Sequence, residues 1–192
     1  MTDPNQVTGS AGLRAVRLTP SVSAAEAEEV VRRRLGGGQA SARLVHHPFW
    51  HVRLLVRRER GRSLARLFGR GDTGGFGAGG AASSAAVDVL VDARGGTSFI
   101  AHFPVEGTAI EASGALAEAP SEAVVRQARD LAAAALRKRY RLGVVFDLEP
   151  EEPRGVLKPN WVVEARGRGM SARMLVDGFD GSHWVIEAKK TN

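Results

Sequence analysis

Apolar residues at helical spacing predict two amphipathic helices. The apolar face of the first helix consists of Ala27, Val30, Val31 and Leu35. Ser23 and Glu26 have the spacing of a capping box at its start. The three glycines at 36–38 are predicted to end it, because glycine adopts the left-handed C-cap conformation without strain.

The second helix is predicted to begin after Pro120, with Ser121 as its N-cap, and to run to about Leu142. Its buried stripe is formed by Val124, Ala128, Leu131, Ala132, Ala135 and Leu136. Basic residues fill its last turns, where a positive charge complements the helix dipole.

Short alternating segments predict strands, and their order repeats along the chain. Residues 90–100 match residues 175–185, because each reads as a strand, a turn that begins with Asp and ends with Gly, and a second strand. Upstream, residues 48–52 match residues 159–163 through a shared Pro-x-Trp sequence, and one predicted helix precedes each copy. We therefore predict an α+β fold of two pseudo-repeats, each one helix packed on a small antiparallel sheet.

The repeat also predicts the domain organisation. Residues 1–18 are expected to form an N-terminal tail or edge strand, 19–105 the first half and 106–192 the second. The distance from Trp50 to Asp92 is 42 residues, whereas the distance from Trp161 to Asp177 is 16. The first half therefore holds an insertion, which we place at residues 58–85.

A helix followed by hairpin strands with a Val-Asp-x-x-x-Gly turn resembles the cystatin-like and PepSY-like modules. The resemblance rests on residues 91–96 and 176–181 together with the two Pro-x-Trp strands. It implies a binding or regulatory module rather than a catalyst, and fold analogy is its only warrant.

The insertion carries the charge of the chain. Residues 53–70 hold seven Arg and one Glu, so the remaining 20 basic and 20 acidic residues balance. A Gly/Ala/Ser-rich linker follows. Leu64, Leu67 and Phe68 give the basic segment an apolar edge at helical spacing. The candidate partner-binding residues are Arg57, Arg58, Arg62, Leu64, Arg66, Leu67, Phe68 and Arg70.

Three interpretations of this insertion stay open. It is either a solvated loop that protects an edge strand, a docking element for an acidic protein or an anionic membrane surface, or a contact to nucleic acid. Arg abundance alone does not decide, because the Arg, Ala and Gly content is typical of a GC-rich genome. We predict a non-catalytic adaptor that engages a protein partner through the insertion and an exposed strand edge, with a homo-oligomer also open.

Catalytic and metal chemistry has weak support in the sequence. There is no cysteine, and His47 and His51 are about 13 Å apart if they lie on one strand, too far to share a metal ion. His51 as a general base of an enzyme is a third hypothesis. No metal and no cofactor are predicted. Asp92 and Asp177 are interpreted as turn residues, with Gly96 and Gly181 supplying positive φ.

The remaining features concern packing and location. The three tryptophans at 50, 161 and 184 are expected in the core. The acidic segment 149–153 is interpreted as a turn-prone connector, with the charge to pair with the Arg-rich insertion. No apolar run long enough to cross a bilayer and no export signal are recognisable, so a cytoplasmic location is expected.

Overall fold

The structure is a computed structural model that describes residues 13–58, 85–139 and 146–191. It has α+β character, as predicted, with a mixed β-sheet. The strands are β1 (Arg14–Arg17), β2 (Gln39–Arg58), β3 (Ala85–Asp92), β4 (Ser98–Ile100), β5 (Thr108–Glu111), β6 (Phe146–Pro150), β7 (Arg154–Gly167), β8 (Met170–Asp177) and β9 (His183–Lys190). The helices are α1 (Ala24–Leu35) and α2 (Glu122–Arg139), with a short 3-10 helix at Gly114–Leu116.

The first helix begins and ends where the sequence predicts. The Ser23 hydroxyl accepts a hydrogen bond from the Glu26 amide, and the Glu26 carboxylate accepts one from the Ser23 amide, so the capping box is complete. Gly36 ends the helix in the left-handed conformation. For α2, the predicted end near Leu142 lies outside the described residues.

The chain divides into two compact units. The first comprises Met1–Phe49, Glu106–Ala119 and Gly155–Asn192, and the second comprises Trp50–Val105 and Pro120–Arg154. Both units therefore take segments from each side of the predicted boundary at 105/106. Strand β2 contributes its first part to the first unit and its last part to the second.

In the first unit, α1 packs on β7 and β8. Its buried residues Ala27 and Val31 contact a core that the strands line with Val163, Ala165, Ala172, Met174 and Val176. Strand β8 pairs antiparallel with β7 on one side and with β9 on the other. Strand β1 has neighbours on both sides, β5 and β7, rather than lying at an edge as expected. The β1–β7 pair is parallel, which corrects the prediction of purely antiparallel sheets.

In the second unit, α2 packs against β3, β4 and β6 through its buried residues Ala128 and Ala132. Strand β3 supplies three consecutive buried residues, Val89, Leu90 and Val91. It pairs antiparallel with β4, and the last five residues of β2 pair antiparallel with β6. Each unit thus holds one helix against strands.

Candidate functional site

Of the predicted partner-binding residues, the structure describes only those at the start of the insertion. Arg57 and Arg58 are the last residues of β2, and the Arg57 guanidinium forms an ion pair with the Glu149 carboxylate at 2.7 Å. The other predicted contacts, Arg62, Leu64, Arg66, Leu67, Phe68 and Arg70, lie outside the described residues.

The acidic segment 149–153 is divided between a strand and a connector: its first two residues end β6, and residues 151–153 connect β6 to β7 as the sequence suggests. Glu149 and Pro150 belong to β6, where Glu149 pairs with Leu55 of β2. This pairing places Glu149 beside the basic end of β2, where it forms the ion pair with Arg57. Because both side chains are exposed, the pair adds little to stability. The predicted charge match with residues 59–84 of the insertion lies outside the described residues.

The two Asp-led turns have the same local geometry. Asp92 Oδ1 accepts a hydrogen bond from the Arg94 amide and Asp177 Oδ1 accepts one from the Phe179 amide, each at 2.8 Å. Gly181 has the expected positive φ of 71°. In the first turn, however, the positive φ belongs to Gly95 rather than Gly96, where a Cβ atom would instead overlap the Asp92 carboxylate.

The most exposed apolar surface in the described part of the chain lies on β9. Every residue of this strand is exposed, and Trp184, Val185 and Ile186 have exposed fractions of 53, 57 and 54 %. Trp50 is buried and the Trp161 indole donates a hydrogen bond to the Val22 carbonyl, but Trp184 contradicts the expectation of a core position. Among the described strands, β9 pairs only with β8, so it presents a free edge.

Both ends of β9 are fixed by hydrogen bonds to the backbone of the first unit. Next to its start, the Ser182 carbonyl accepts a hydrogen bond from the Asp177 amide at 2.7 Å. Gly178 of the β8–β9 turn accepts hydrogen bonds from the Ser21 and Val22 amides and donates one to the Pro159 carbonyl. At its end, the Thr191 amide donates to the Gly169 carbonyl at 2.7 Å. The strand is therefore held in an extended conformation by contacts within the first unit.

A buried polar network supports the same turn. Lys158 is 3 % exposed, and its ammonium donates hydrogen bonds to Asp177 Oδ2 at 2.6 Å and to Asn160 Oδ1 at 2.9 Å. The ammonium also lies 5.5 Å from the centre of the Phe179 ring, within cation–π range. Asn160 Nδ2 is 2.6 Å from the Nδ1 atom of His47. Sequence reasoning assigned Asp177 to the turn but missed its buried cation.

His51 belongs to a second network, within the other unit. This side chain is 3 % exposed, with Nε2 at 2.7 Å from Asp88 Oδ1 and Nδ1 accepting a hydrogen bond from Arg154 Nε at 2.9 Å. Because an arginine can only donate, Nδ1 is unprotonated and the Nε2 proton points to Asp88. Both ring nitrogens are occupied, so this geometry favours a structural role over that of a general base.

The His51 network predicts a dependence of stability on pH. Burial lowers the pKa of His51 below its usual 6.5, against the hydrogen bond to Asp88, which raises it. Below pH 6.5 the unfolded chain therefore binds a proton that the folded chain excludes. We expect the urea midpoint to be constant above this pH and to fall as the pH drops from 6.5 toward 5.

The variant His51→Gln should show a shallower slope than the wild type in the same titration. Any slope left in His51→Gln is expected from His46, whose pKa is also lowered by burial. An unchanged slope in His51→Gln would contradict the assignment.

In the described ranges 13–58, 85–139 and 146–191, no group of three or more His, Asp or Glu side chains is arranged to hold a metal ion. None of the helices there is both long and apolar enough to span a bilayer.

Comparison with known proteins gives no relative for this chain. No protein family, curated protein or solved structure matches it.

Proposed function

We propose that this protein is a non-catalytic binding module that takes an extended segment of a protein partner onto the free edge of β9. The observation that carries this proposal is an eight-residue strand, exposed along its whole length, with hydrogen bonds holding the chain at both of its ends. A free edge offers unpaired backbone groups to another strand. A strand already fixed in its bound conformation loses less entropy on binding.

The charge on the chain favours a foreign acidic partner over a second copy. Strand β9 carries Lys189 and Lys190 against a single carboxylate, Glu187. Two copies of β9 paired together would thus oppose more cations than they could neutralise, which weakens cross-strand pairing. The basic segment at residues 53–70, with seven Arg and one Glu, provides a second contact of the same sign.

We infer further that the two helix-on-strand arrangements are pseudo-repeats of one cystatin-like or PepSY-like plan. One helix against strands in each unit supports this inference. The two Asp-led turns support it as well, because Asp92 and Asp177 each accept a hydrogen bond from the amide two residues further on.

A selection from a display library of random 12-residue peptides tests the function. The bait is the full chain, beside a variant with Val185→Lys and Ile186→Lys that places two charges on β9. The matched control is Leu44→Lys, which changes an exposed apolar residue of β2. We expect the wild type and Leu44→Lys to enrich peptides with strand-forming residues, and the β9 variant to lose affinity for them by about tenfold or more.

Hydrogen exchange of residues 183–190 with a selected peptide bound locates the contact, because strand addition protects their amides. The proposal would be wrong if all three baits enriched the same peptides equally, or if hydrogen exchange of the β9 amides were unchanged with a peptide bound. Sedimentation showing that β9 is already occupied by a second copy would also contradict it. A bait in which a short turn replaces residues 60–84 measures the contribution of the insertion to binding. If the full chain bound only RNA or anionic vesicles, and lost that binding without residues 60–84, the result would favour the alternative functions.

A further inference from the structure

A groove beside β9 has the chemistry to select the partner. It has a volume of about 740 Å³, lies within the first unit and is bounded by the end of α1, the start of β2 and strands β7 to β9. Its charged lining residues are Arg32, Arg166, Arg173, Lys189, Glu164 and Glu187. The lining thus holds four cations and two carboxylates, and Arg32 also pairs with Glu28 and Glu29 of its own helix. Arg173 pairs with Glu164 and Lys189 with Glu187, which leaves Arg166 as the lining cation with no ion pair to a described residue.

The strand register resolves these charges into two rows that run across the sheet. In one row, Glu164 pairs with Arg173 and Arg173 with Glu187, so the sign alternates. The Glu164 carboxylate is 3.6 Å from the Arg173 guanidinium, and this row largely compensates itself. Residues directly opposite each other in antiparallel strands point to the same face.

The second row has no carboxylate. Arg166 pairs with Ser171, and Ser171 pairs with Lys189 on β9. Within the described residues Arg166 makes no ion pair, and the carboxylate nearest to Lys189 is Glu187 on its own strand, at 2.5 Å. We call Arg166, Ser171 and Lys189 the cationic row. The cationic row ends at the free edge of β9. In a complex, the residue opposite Lys189 on that side would belong to the strand that the partner adds to the sheet.

We propose that the strand added to β9 carries an aspartate or glutamate directly opposite Lys189, at the open end of the cationic row. This inference rests on the proposed function and states the chemistry of the partner. Neighbouring strands are about 4.8 Å apart, so a carboxylate in this position extends the row to four strands and adds a negative charge to a row whose charged members, Arg166 and Lys189, are both cations. Opposite charges directly across strands stabilise a pair, whereas like charges destabilise it.

The bulge in β9 sets the rest of the pattern. The register shifts between Arg173 and Met174, so Trp184 faces the same side of the sheet as Glu187 and Lys189 although it is an odd number of residues away. A partner strand therefore presents an apolar residue to Trp184 and an acidic residue to Lys189 on one face. A partner with both residues in this register contacts the apolar and cationic parts of the surface at once.

The test is a charge exchange with peptides from the same display library. A selected peptide is synthesised with its acidic residue intact and with that residue changed to lysine, and each is titrated against the wild type, Lys189→Glu and Lys190→Glu. Lys190 is the matched control, because it is an exposed lysine next in sequence whose partner is Met170 on the other face.

We expect Lys189→Glu to weaken binding of the acidic peptide about tenfold and Lys190→Glu to leave it within about twofold. The lysine peptide should recover affinity for Lys189→Glu, and a variant that had merely misfolded would not show this recovery. Selected peptides without an enriched acidic position, or equal losses in both variants, overturn the inference while the proposed function stands. A library that yields no binder to β9 overturns both.

Discussion

Replacing Lys158 by methionine is expected to lower the free energy of unfolding by about 3–5 kcal/mol. The ammonium of this buried lysine is the partner of Asp177 Oδ2 and Asn160 Oδ1. Its removal leaves a largely buried carboxylate whose remaining hydrogen-bond donor among the described residues is the Phe179 amide, and an uncompensated charge away from water costs several kcal/mol. Urea denaturation at pH 7 measures the loss.

Two variants separate the buried pair from the loss of a lysine as such. Lys189→Met also removes a lysine that pairs with a carboxylate, but on the exposed strand β9, so we expect little change. Changing Asp177 to Asn together with Lys158→Met removes both charges and should recover part of the stability. If Lys158→Met were as stable as Lys189→Met, the network would not hold the β8–β9 turn.

The same network has a consequence for binding. Asp177 connects the lysine to the turn through the Phe179 amide, and the turn leads directly into β9. Loosening it frees the start of an edge strand that a partner needs in an extended conformation. Lys158→Met is thus expected to weaken peptide binding under conditions where most of the chain is still folded, because binding must then restore the order of β9.

The first helix could be predicted from local signals in the sequence. The features that the sequence did not reveal depend on contacts between residues that are distant along the chain. The capping box and glycines of α1 lie within the helix and its flanks, so their geometry follows from neighbours in sequence. Lys158 gives no such signal, because its role depends on Asp177, 19 residues further on, and Asn160 reaches His47 across 113 residues. The parallel β1–β7 pair likewise joins remote segments.

Trp184 shows why an internal match misleads about burial. Its match to Phe99 in the first half favoured a core position, because both follow an Asp-led turn at the same spacing. In the structure Phe99 is half-buried on β4, whereas Trp184 lies on a strand that pairs only with β8 among the described strands. Whether a strand has a neighbour is decided by the whole sheet, and a match between two short segments does not test it.

The glycines after α1 lead to the second prediction with a large effect. The sequence identifies all three as a helix C-cap. In the structure Gly36 adopts the left-handed cap conformation, and the amides of Gly36 and Gly37 donate to the Arg33 and Arg32 carbonyls, whereas Gly38 takes no part in the cap. Gly37 and Gly38 have φ values of 108° and 111°, and a Cβ atom at Gly38 would overlap the carbonyl oxygen of Arg166 on β7. At Gly37 the space around that Cβ position is open. Gly38 is therefore required by the close approach of two backbones.

Alanine at each position separates conformational strain from this close approach. In both variants an alanine must adopt a positive φ, which is strained for a residue with a side chain. Gly37→Ala should therefore lose about 1–3 kcal/mol of unfolding free energy. Gly38→Ala should lose a further 1–3 kcal/mol or so, because the start of β2 must move away from β7. Denaturant titration of the pair gives the difference directly, and equal losses would mean that the two strands separate at no cost. Since Gly38 and Arg166 both line the groove, Gly38→Ala should also weaken acidic-peptide binding more than Gly37→Ala does.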